Sequence, residues 1–459
     1  MGPQRRNVDG IGRFCSLDSR SILLRSHEIL EALYGNVRRG ERNRAPSPKR
    51  MAEANRVMRR LSLDEFLVAG SVKASRGESA VTHTSPALFV YFAMHARKCC
   101  TSARPKCSGC PLVSFCSNGI RRCGSVKGKP IAIDLCGGAG ALSAGFRREG
   151  FQIALAVEKD KNAAQSYRVN NPGVPVIEAD IRKIRPSWIL RFLGLGQGQI
   201  TAVISGPPCQ GFSAAGPRKP RARRNLLFRS VSHIAKGLRA SLLVMENVPG
   251  LKRVRGVSFE NRIRDHFRRC GYIGEPIEVD ASKFGVPQRR KRLIFVCARR
   301  KYDLSSFTLR PLKSTVKPSV VLALRKLPRP RVGQRKARPW DQSKEKYNHR
   351  AMAHSSRVIR KIAGIQPGTG PISYRRLRSD LANTLIAGHR AMPVHPERDR
   401  TITVREAARL QTMPDSFRFL GPHSEQPLQV ANVVPYRLSR AIARSLLSSI
   451  KGNPSFRNR

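Results

Sequence analysis

The sequence predicts an α/β protein built on a mostly parallel sheet covered by helices on both faces. Three observations carry that prediction. From Lys129 onward, short apolar runs alternate with helix-length segments, the pattern of strands joined by crossover helices. A small-residue turn, Asp134-Leu-Cys-Gly-Gly-Ala-Gly-Ala141, directly follows the first apolar run, where open parallel sheets bind ligands. The chain of 459 residues is 40% hydrophobic, which is enough apolar material for a full-sized core.

Taken in order, the predicted strands are Ile131-Leu135, Ile153-Val157, Ala202-Ser205, Leu242-Met245 and Leu293-Cys297. Helices are predicted at Leu142-Glu149, Lys161-Asn170 and Asn225-Arg239. After Arg300 the regularity stops, and residues 301 to about 400 are basic, Pro-rich and irregular. Helical periodicity returns at Val404-Thr412 and Leu438-Leu447, with a disordered tail expected after Lys451. Residues 1 to about 85 read as a weakly structured extension, with one short amphipathic helix at Ala52-Phe66 and a basic, Pro-punctuated stretch at Arg38-Arg50. No internal repeat is found.

Lys and Arg number 87 against 30 Asp and Glu, a formal net charge of +57. Such a surplus repels itself unless a polyanion screens it, so nucleic acid is the expected partner and an acidic membrane surface the weaker competitor. The longest apolar stretch, Ala87-Met94, is far short of a bilayer span. The opening residues MGPQRRNVDG lack the apolar segment of a secretion signal, and Arg6 stands where a myristoylation signal needs Ser or Thr. An intracellular protein is therefore expected. Its eleven cysteines are read as thiols, metal ligands or nucleophiles before disulfides.

The small-residue turn would let a ligand approach the backbone beside a helix N-terminus. Glu158 ends the second strand at the interval expected for a carboxylate that grips a ribose, and Asp180, ending the third strand-like run, could accept from an adenine amine. The competing reading of such a turn is packing alone. Ile204-Ser-Gly-Pro-Pro-Cys-Gln-Gly-Phe212 places Cys209 just beyond a buried strand, aimed into the same crevice amid positive charge that favours its thiolate; a buried structural cysteine is the bland alternative. Glu246, at the end of the next strand, would be buried between that strand and Pro249, so that burial raises its carboxyl and lets it hold or donate a proton near neutral pH. Alternation in Gln288-Arg-Arg-Lys-Arg292 puts Arg290 and Arg292 on one face to clamp phosphate or a base carbonyl, unless the run is simply a solvated basic face.

These segments, in this order, resemble the DNA (cytosine-5) methyltransferases over residues ~130–450. The resemblance rests on Asp134-Ala141, Pro208-Cys209-Gln210, Glu246-Asn247-Val248, Gln288-Arg292, Val404-Gln411 and Gln429-Pro435. It implies a Rossmann-like S-adenosylmethionine-dependent methyltransferase domain at 129–300 plus 402–450, a small irregular target-recognition region at 301–401, where Thr384-Leu385 resembles a short family feature, and a tail at 451–459. It implies methyl transfer to C5 of a cytosine flipped out of a specific sequence of double-stranded DNA. Cys209 would be the nucleophile at C6 and Glu246 would bond N3 and the exocyclic amine. Arg292 would hold O2, and Arg290 would position the loop and phosphate. On the cofactor side it implies Asp134, Cys136, Gly138, Gly140, Glu158, Asp180, Pro208, Leu227 and Asn432 around S-adenosylmethionine. Arg218-Arg224 would form a mobile loop over the DNA. A monomeric, nucleoid-associated modification enzyme of the cytoplasm is expected, alone or paired with a cognate restriction endonuclease, and the compact architecture points to a bacterial origin.

The chain departs from the family at Cys136, where an aromatic residue usually stacks on adenine, and at Ala141, Lys159, Ala431 and Val433. These departures motivate the alternative of a catalytically silent DNA-binding protein on a degenerate methyltransferase scaffold; RNA methylation on the same scaffold is a third reading.

A separate motif precedes this domain. Cys100-x6-Cys107-x2-Cys110-x5-Cys116, within a Cys-rich loop at 86–128, spaces four thiolates for a metal or cluster, with Cys99 and Cys123 spare. With His95-Ala-Arg97 before it, the spacing resembles the iron–sulfur loop of endonuclease III-type glycosylases. That resemblance implies a 4Fe–4S cluster, with zinc as the alternative.

Overall fold

The structure, a computed structural model, describes residues 129–208, 226–252, 258–305, 307–313, 316–332, 347–371, 374–386, 392–452 and 456. The basic extension, the Cys-rich loop with Cys100, Cys107, Cys110 and Cys116, the nucleophile candidate Cys209 and the 218–224 loop lie outside the described residues. The strands are β1 (Ile131–Leu135), β2 (Gln152–Glu158), β3 (Val176–Glu178), β4 (Ala202–Ser205), β5 (Leu242–Asn247), β6 (Tyr272–Ile273), β7 (Pro276–Asp280), β8 (Lys291–Arg299), β9 (Arg331–Val332) and β10 (Arg350–Ala351). The helices are α1 (Ala141–Glu149), α2 (Lys161–Asn170), α3 (Pro186–Leu193), α4 (Leu227–Leu238), α5 (Phe259–Arg269), α6 (Val320–Leu324), α7 (Ser356–Ala363), α8 (Val404–Leu410), α9 (Gln426–Asn432) and α10 (Tyr436–Gly452).

Among the described residues eight strands make one sheet, ordered β3-β2-β1-β4-β5-β8-β6, with β7 also on β8. β1 to β5 run parallel. β8 is antiparallel to β5, and β6 and β7 are antiparallel to β8. From β1 the chain winds outward to β3, then returns to β4 on the other side. The strand order therefore reverses between β1 and β4, the switch point at whose carboxyl ends open α/β sheets form their ligand crevice.

Period-two alternation produces the two faces. Ile133, Leu135, Val203, Leu243 and Met245 point into a core closed by α3, α4 and α5. Their neighbours Ala132, Ala202, Ile204, Leu242 and Val244 point into a second core under α1, α2 and α10. α10 crosses α1 so closely that a Cβ on Gly145 would lie 2.4 Å from Ser439 Cβ, and Glu149 at the end of α1 is gripped by Arg440 (2.6 Å) and Arg444 (2.7 Å). The catalytic-type domain is thus closed by the far end of the chain. In the tail, expected to be disordered, Phe456 is buried, its ring stacked 4.5 Å from Tyr302.

A third core joins Ala139 and Ala141 of the small-residue turn to α6, α8, α9 and Phe417 and Phe419. Much of this region is irregular, so its carbonyls lack ladder partners and need donors from side chains. Buried arginines supply them. Arg405 donates to the carbonyls of Tyr347, Pro414 and Phe417. Arg376 donates to those of Ile365, Ile362 and His395. The guanidinium, with five N–H donors, suits this task.

Candidate active site

At the switch point Ser205 Oγ donates to the Leu135 carbonyl at 2.6 Å, pinning the ends of β4 and β1 together. The turn that follows β1 passes through the left-handed region at Cys136 (φ 59°), Gly138 (φ 56°) and Gly140 (φ 87°). Gly138 N–H donates to Glu158 Oε2 at 2.8 Å and Asp160 N–H to Glu158 Oε1 at 2.8 Å. Glu158 therefore fixes the turn from the neighbouring strand. Burial pushes its carboxyl above the ordinary range, opposed by those amides.

A Cβ on Gly138 would meet nothing within 4 Å, whereas one on Gly137 would stand 2.6 Å from Tyr167 Cε2. The turn is open on one side and filled by the Tyr167 ring on the other. Beneath it Asp134 is fully buried. Ser143 Oγ donates to its Oδ2 at 2.6 Å and Tyr167 Oη lies 3.3 Å from the same oxygen. Its Oδ1 is buried without a hydrogen-bond partner. Burial pushes the Asp134 carboxyl up to about 7 against those hydrogen bonds.

Asp180 does not end a strand: β3 stops at Glu178, and Asp180 caps the 3-10 turn Ile181–Lys183. Its Oδ2 lies 2.5 Å from Arg182 Nη2 and 3.3 Å from Lys159 Nζ. The Arg182 guanidinium holds its carboxyl well below the usual carboxylate range. An adenine amine there would share an oxygen already engaged.

On the other side of the switch, Glu246 and Arg292 meet across the antiparallel pair. Glu246 is registered with Ile294, two residues from Arg292 on the same face. Arg292 Nε stands 2.6 Å from Glu246 Oε1. The Nε hydrogen makes no aligned bond, so the contact is an ion pair with hydrogen-bonding capacity left over. The sequence shows that Glu246 is buried but not that a guanidinium stands beside it. Glu246 Oε2 lies 3.7 Å from where a Cβ on Gly206 would stand, so the carboxylate sits beside the Gly-Pro-Pro segment that leads to Cys209.

The structure differs from the expectation at Arg290. Its side chain does not join a phosphate clamp with Arg292 but is 1% exposed. Its Nη2 donates to the carbonyls of Ala431 (2.7 Å) and Val433 (3.1 Å). The cause is position: Arg290 precedes β8 and faces the C-terminal end of α9, whose last carbonyls lack helical partners. Arg290 therefore fixes the backbone on both sides of Asn432, which is itself exposed, as is Pro208; Leu227 is half-buried.

The C-5 cytosine-specific DNA methylase family matches residues 131–448. This chain belongs to that family. Type II methyltransferase M1.HphI of Haemophilus parahaemolyticus is 33% identical over 332 residues, covering 69% of this chain and 86% of that protein. Type II methyltransferase M.DdeI of Desulfomicrobium norvegicum is 30% identical, covering 68% and 88%. A crystal structure of a prophage-encoded DNA modification methyltransferase of E. coli superposes with a TM-score of 0.59 at 27% identity, covering 70% of this chain and all of that one. The protein is a DNA cytosine-C5 methyltransferase on a Rossmann-like fold, and S-adenosylmethionine is the cofactor of its family.

The methylase brings Asp134, Cys136, Gly138, Gly140 and Glu158 together at one side of the crevice and Glu246 and Arg292 at the other. The open face over Gly138, the carboxylate of Glu158 and the fully buried support beneath suit a nucleoside-bearing cofactor. Sequence reading did not single out Ser143 or Tyr167, whose hydroxyls hold Asp134. The available signal was their spacing: each lies on the inward stripe of an amphipathic helix yet carries a hydroxyl. Among the described residues no His/Cys/Asp/Glu group could hold a metal, and no helix is long and apolar enough to cross a membrane.

Proposed function

We propose that this methylase modifies a cytosine flipped out of a specific double-stranded sequence, through a reversible covalent bond from Cys209. The observation that supports it best is the Glu246–Arg292 pair, 2.6 Å apart, beside the segment leading to Cys209. S-adenosylmethionine, when bound, supplies an electrophilic methyl group. Asp134, Cys136, Gly138, Gly140, Glu158, Asp180, Pro208, Leu227 and Asn432 would hold it, with Arg290 acting indirectly through the backbone around Asn432.

The Cys209 thiolate forms a bond to C6, which breaks the ring's aromaticity and makes C5 enamine-like. Glu246 bonds N3 and the exocyclic amine, stabilising the charge that develops there, and Arg292 donates to O2. After C5 is methylated, its proton departs to solvent, the C5–C6 double bond re-forms and the thiolate leaves. The +57 charge supplies phosphate attraction, and residues 301–401 read the site.

Expression in a methylation-free host, followed by base-resolution sequencing, tests the reading. Methylcytosine in one recurrent sequence is expected. DNA binding with neither methylcytosine nor cofactor affinity would instead identify a silent scaffold. A modification role in a bacterial cytoplasm, alone or with a cognate endonuclease, belongs to the same reading, and the type II names of its relatives support it. The resemblance of the Cys100, Cys107, Cys110 and Cys116 loop to the iron–sulfur loop of endonuclease III-type glycosylases is the ground for a 4Fe–4S cluster there, with zinc the rival. Iron and acid-labile sulfide in the purified full chain, near four of each per protein, would support the cluster, and zinc without sulfide would replace it.

A further inference from the structure

The polar stripe of α2 carries an inference beyond the residues already placed in the site. Asn162, Ser166 and Asn170 recur every four residues, so they share one face. Along that face lies the segment 418–421, which belongs to no sheet. Its backbone is satisfied by side chains. Leu420 N–H donates to Ser166 Oγ at 2.7 Å, and a Cβ on Gly421 would lie 2.6 Å from Asn162 Oδ1. Arg418 N–H donates to Asn170 Oδ1 at 2.7 Å, and Asn170 Nδ2 donates back to the Arg418 carbonyl at 2.7 Å.

Asn170 differs from its two neighbours on the stripe. Its Nδ2 also donates, at 3.2 Å, to the carbonyl of Ala139 in the small-residue turn. The adjacent Asn171 donates to the Gly140 carbonyl at 3.0 Å. Peptide planarity couples the two ends of each unit. A carbonyl held from below therefore orients the N–H of the next residue, and the conformation of the turn is set by how its carbonyls are tethered. We propose that Asn170 is a positioning residue for cofactor binding, clamping the turn at Ala139 while Arg418 holds Asn170 in the required orientation. This rests on the reading that the turn binds S-adenosylmethionine.

The test compares Asn170→Ala with Ser166→Ala, which cuts the same helix–segment tie one turn away without touching the turn. Calorimetry with S-adenosylhomocysteine and the full chain reads binding without turnover, and melting temperature reads the structural contribution. Asn170→Ala should raise the Kd and the KM for S-adenosylmethionine about tenfold, with kcat at saturating cofactor and KM for DNA within about twofold. Ser166→Ala should leave the Kd within about twofold at a comparable loss of melting temperature. Asn170→Asp, which keeps the acceptor for Arg418 N–H but loses the donor to the Ala139 and Arg418 carbonyls, should weaken binding like Asn170→Ala. Unchanged binding in Asn170→Ala, or equal weakening by Ser166→Ala, overturns the proposal. Glu158→Ala monitors the underlying reading separately: if it binds S-adenosylhomocysteine as wild type does, the cofactor assignment of the turn fails instead.

Discussion

Glu246 and Arg292 stand 2.6 Å apart on neighbouring antiparallel strands, with side chains only 11% and 8% exposed. Neither charge is well solvated, so each depends on the other until substrate arrives. Glu246→Gln keeps the shape and the hydrogen-bonding reach but removes the charge. It should lower kcat for methyl transfer about 10²-fold or more with little change in cofactor Kd, as read by single-turnover labelling of DNA. Arg292→Met should cost both activity and about 3–5 kcal/mol of stability, because it strands a buried carboxylate.

Asp134 gives the methylase a measurable pH signature. Burial raises its folded-state carboxyl to about 7, while the unfolded chain keeps the ordinary value near 4. The folded state therefore holds a proton that the unfolded state has lost. The contribution of this group is fully present below about pH 4 and disappears as pH rises towards about 7. Asp134→Asn carries no such proton. The stability difference, variant minus wild type, should grow by up to about 4 kcal/mol between pH 4 and 7 and then level off. Urea unfolding across that range reads it, and a flat difference would contradict the assignment.

Glu149 has the opposite sign. Burial works against its charge, but Arg444 and Arg440 prevail and hold it below the ordinary range. Its contribution is present above the unfolded value of about 4.3 and lost as pH falls through the folded value. Glu149→Gln should cost about 1 kcal/mol at pH 7 and almost nothing at strongly acidic pH, measured by the same unfolding experiment.

The α1–α10 crossing is set by Gly145. A methyl group there would stand 2.4 Å from Ser439 Cβ and 3.0 Å from the Arg440 backbone nitrogen, neither of which is a flexible chain end. Gly145→Ala gains helix propensity worth about 1 kcal/mol but forces the helices apart, at about 1–3 kcal/mol. A net fall in melting temperature is expected, although Ala is the better helix former.

Arg290 is buried among carbonyls, and its guanidinium is pushed well below its ordinary value by burial first and by Arg292 second, against the pull of Glu246. Arg290→Lys cannot span the Ala431 and Val433 carbonyls together. A loss of about 2–3 kcal/mol is expected, with weaker binding of S-adenosylhomocysteine because Asn432 lies between those carbonyls.

β1, β2, β4, β5 and β8 were legible because each is a run of apolar residues that divides between two cores. The sequence could not show that β8 runs against its neighbours, because an apolar run reads the same in either direction. β6 and β7 were missed for a physical reason. Tyr272–Ile273 is only two residues long, and Pro276–Asp280 is a polar, half-exposed segment, admissible at a sheet edge and nowhere else. At the site, Glu158 and Glu246 were legible because strand ends beside special turns mark the crevice. Arg290 was misread because spacing assigns a face but not a depth. The carbonyls that draw it inward belong to residues more than a hundred positions away. The α2 stripe was invisible for the same reason, since polar residues at helical spacing ordinarily face water.

The covalent role of Cys209 is the central claim and has a direct test. Duplex DNA carrying 5-fluorocytosine at the recognised position should, with S-adenosylmethionine present, leave the wild-type protein covalently attached, because fluorine at C5 blocks the release step. Mass spectrometry of the digested complex should place the bond on Cys209, and Cys209→Ser should form none. Methyl transfer by wild type without any trapped species, or a trapped species in Cys209→Ser, would contradict the account.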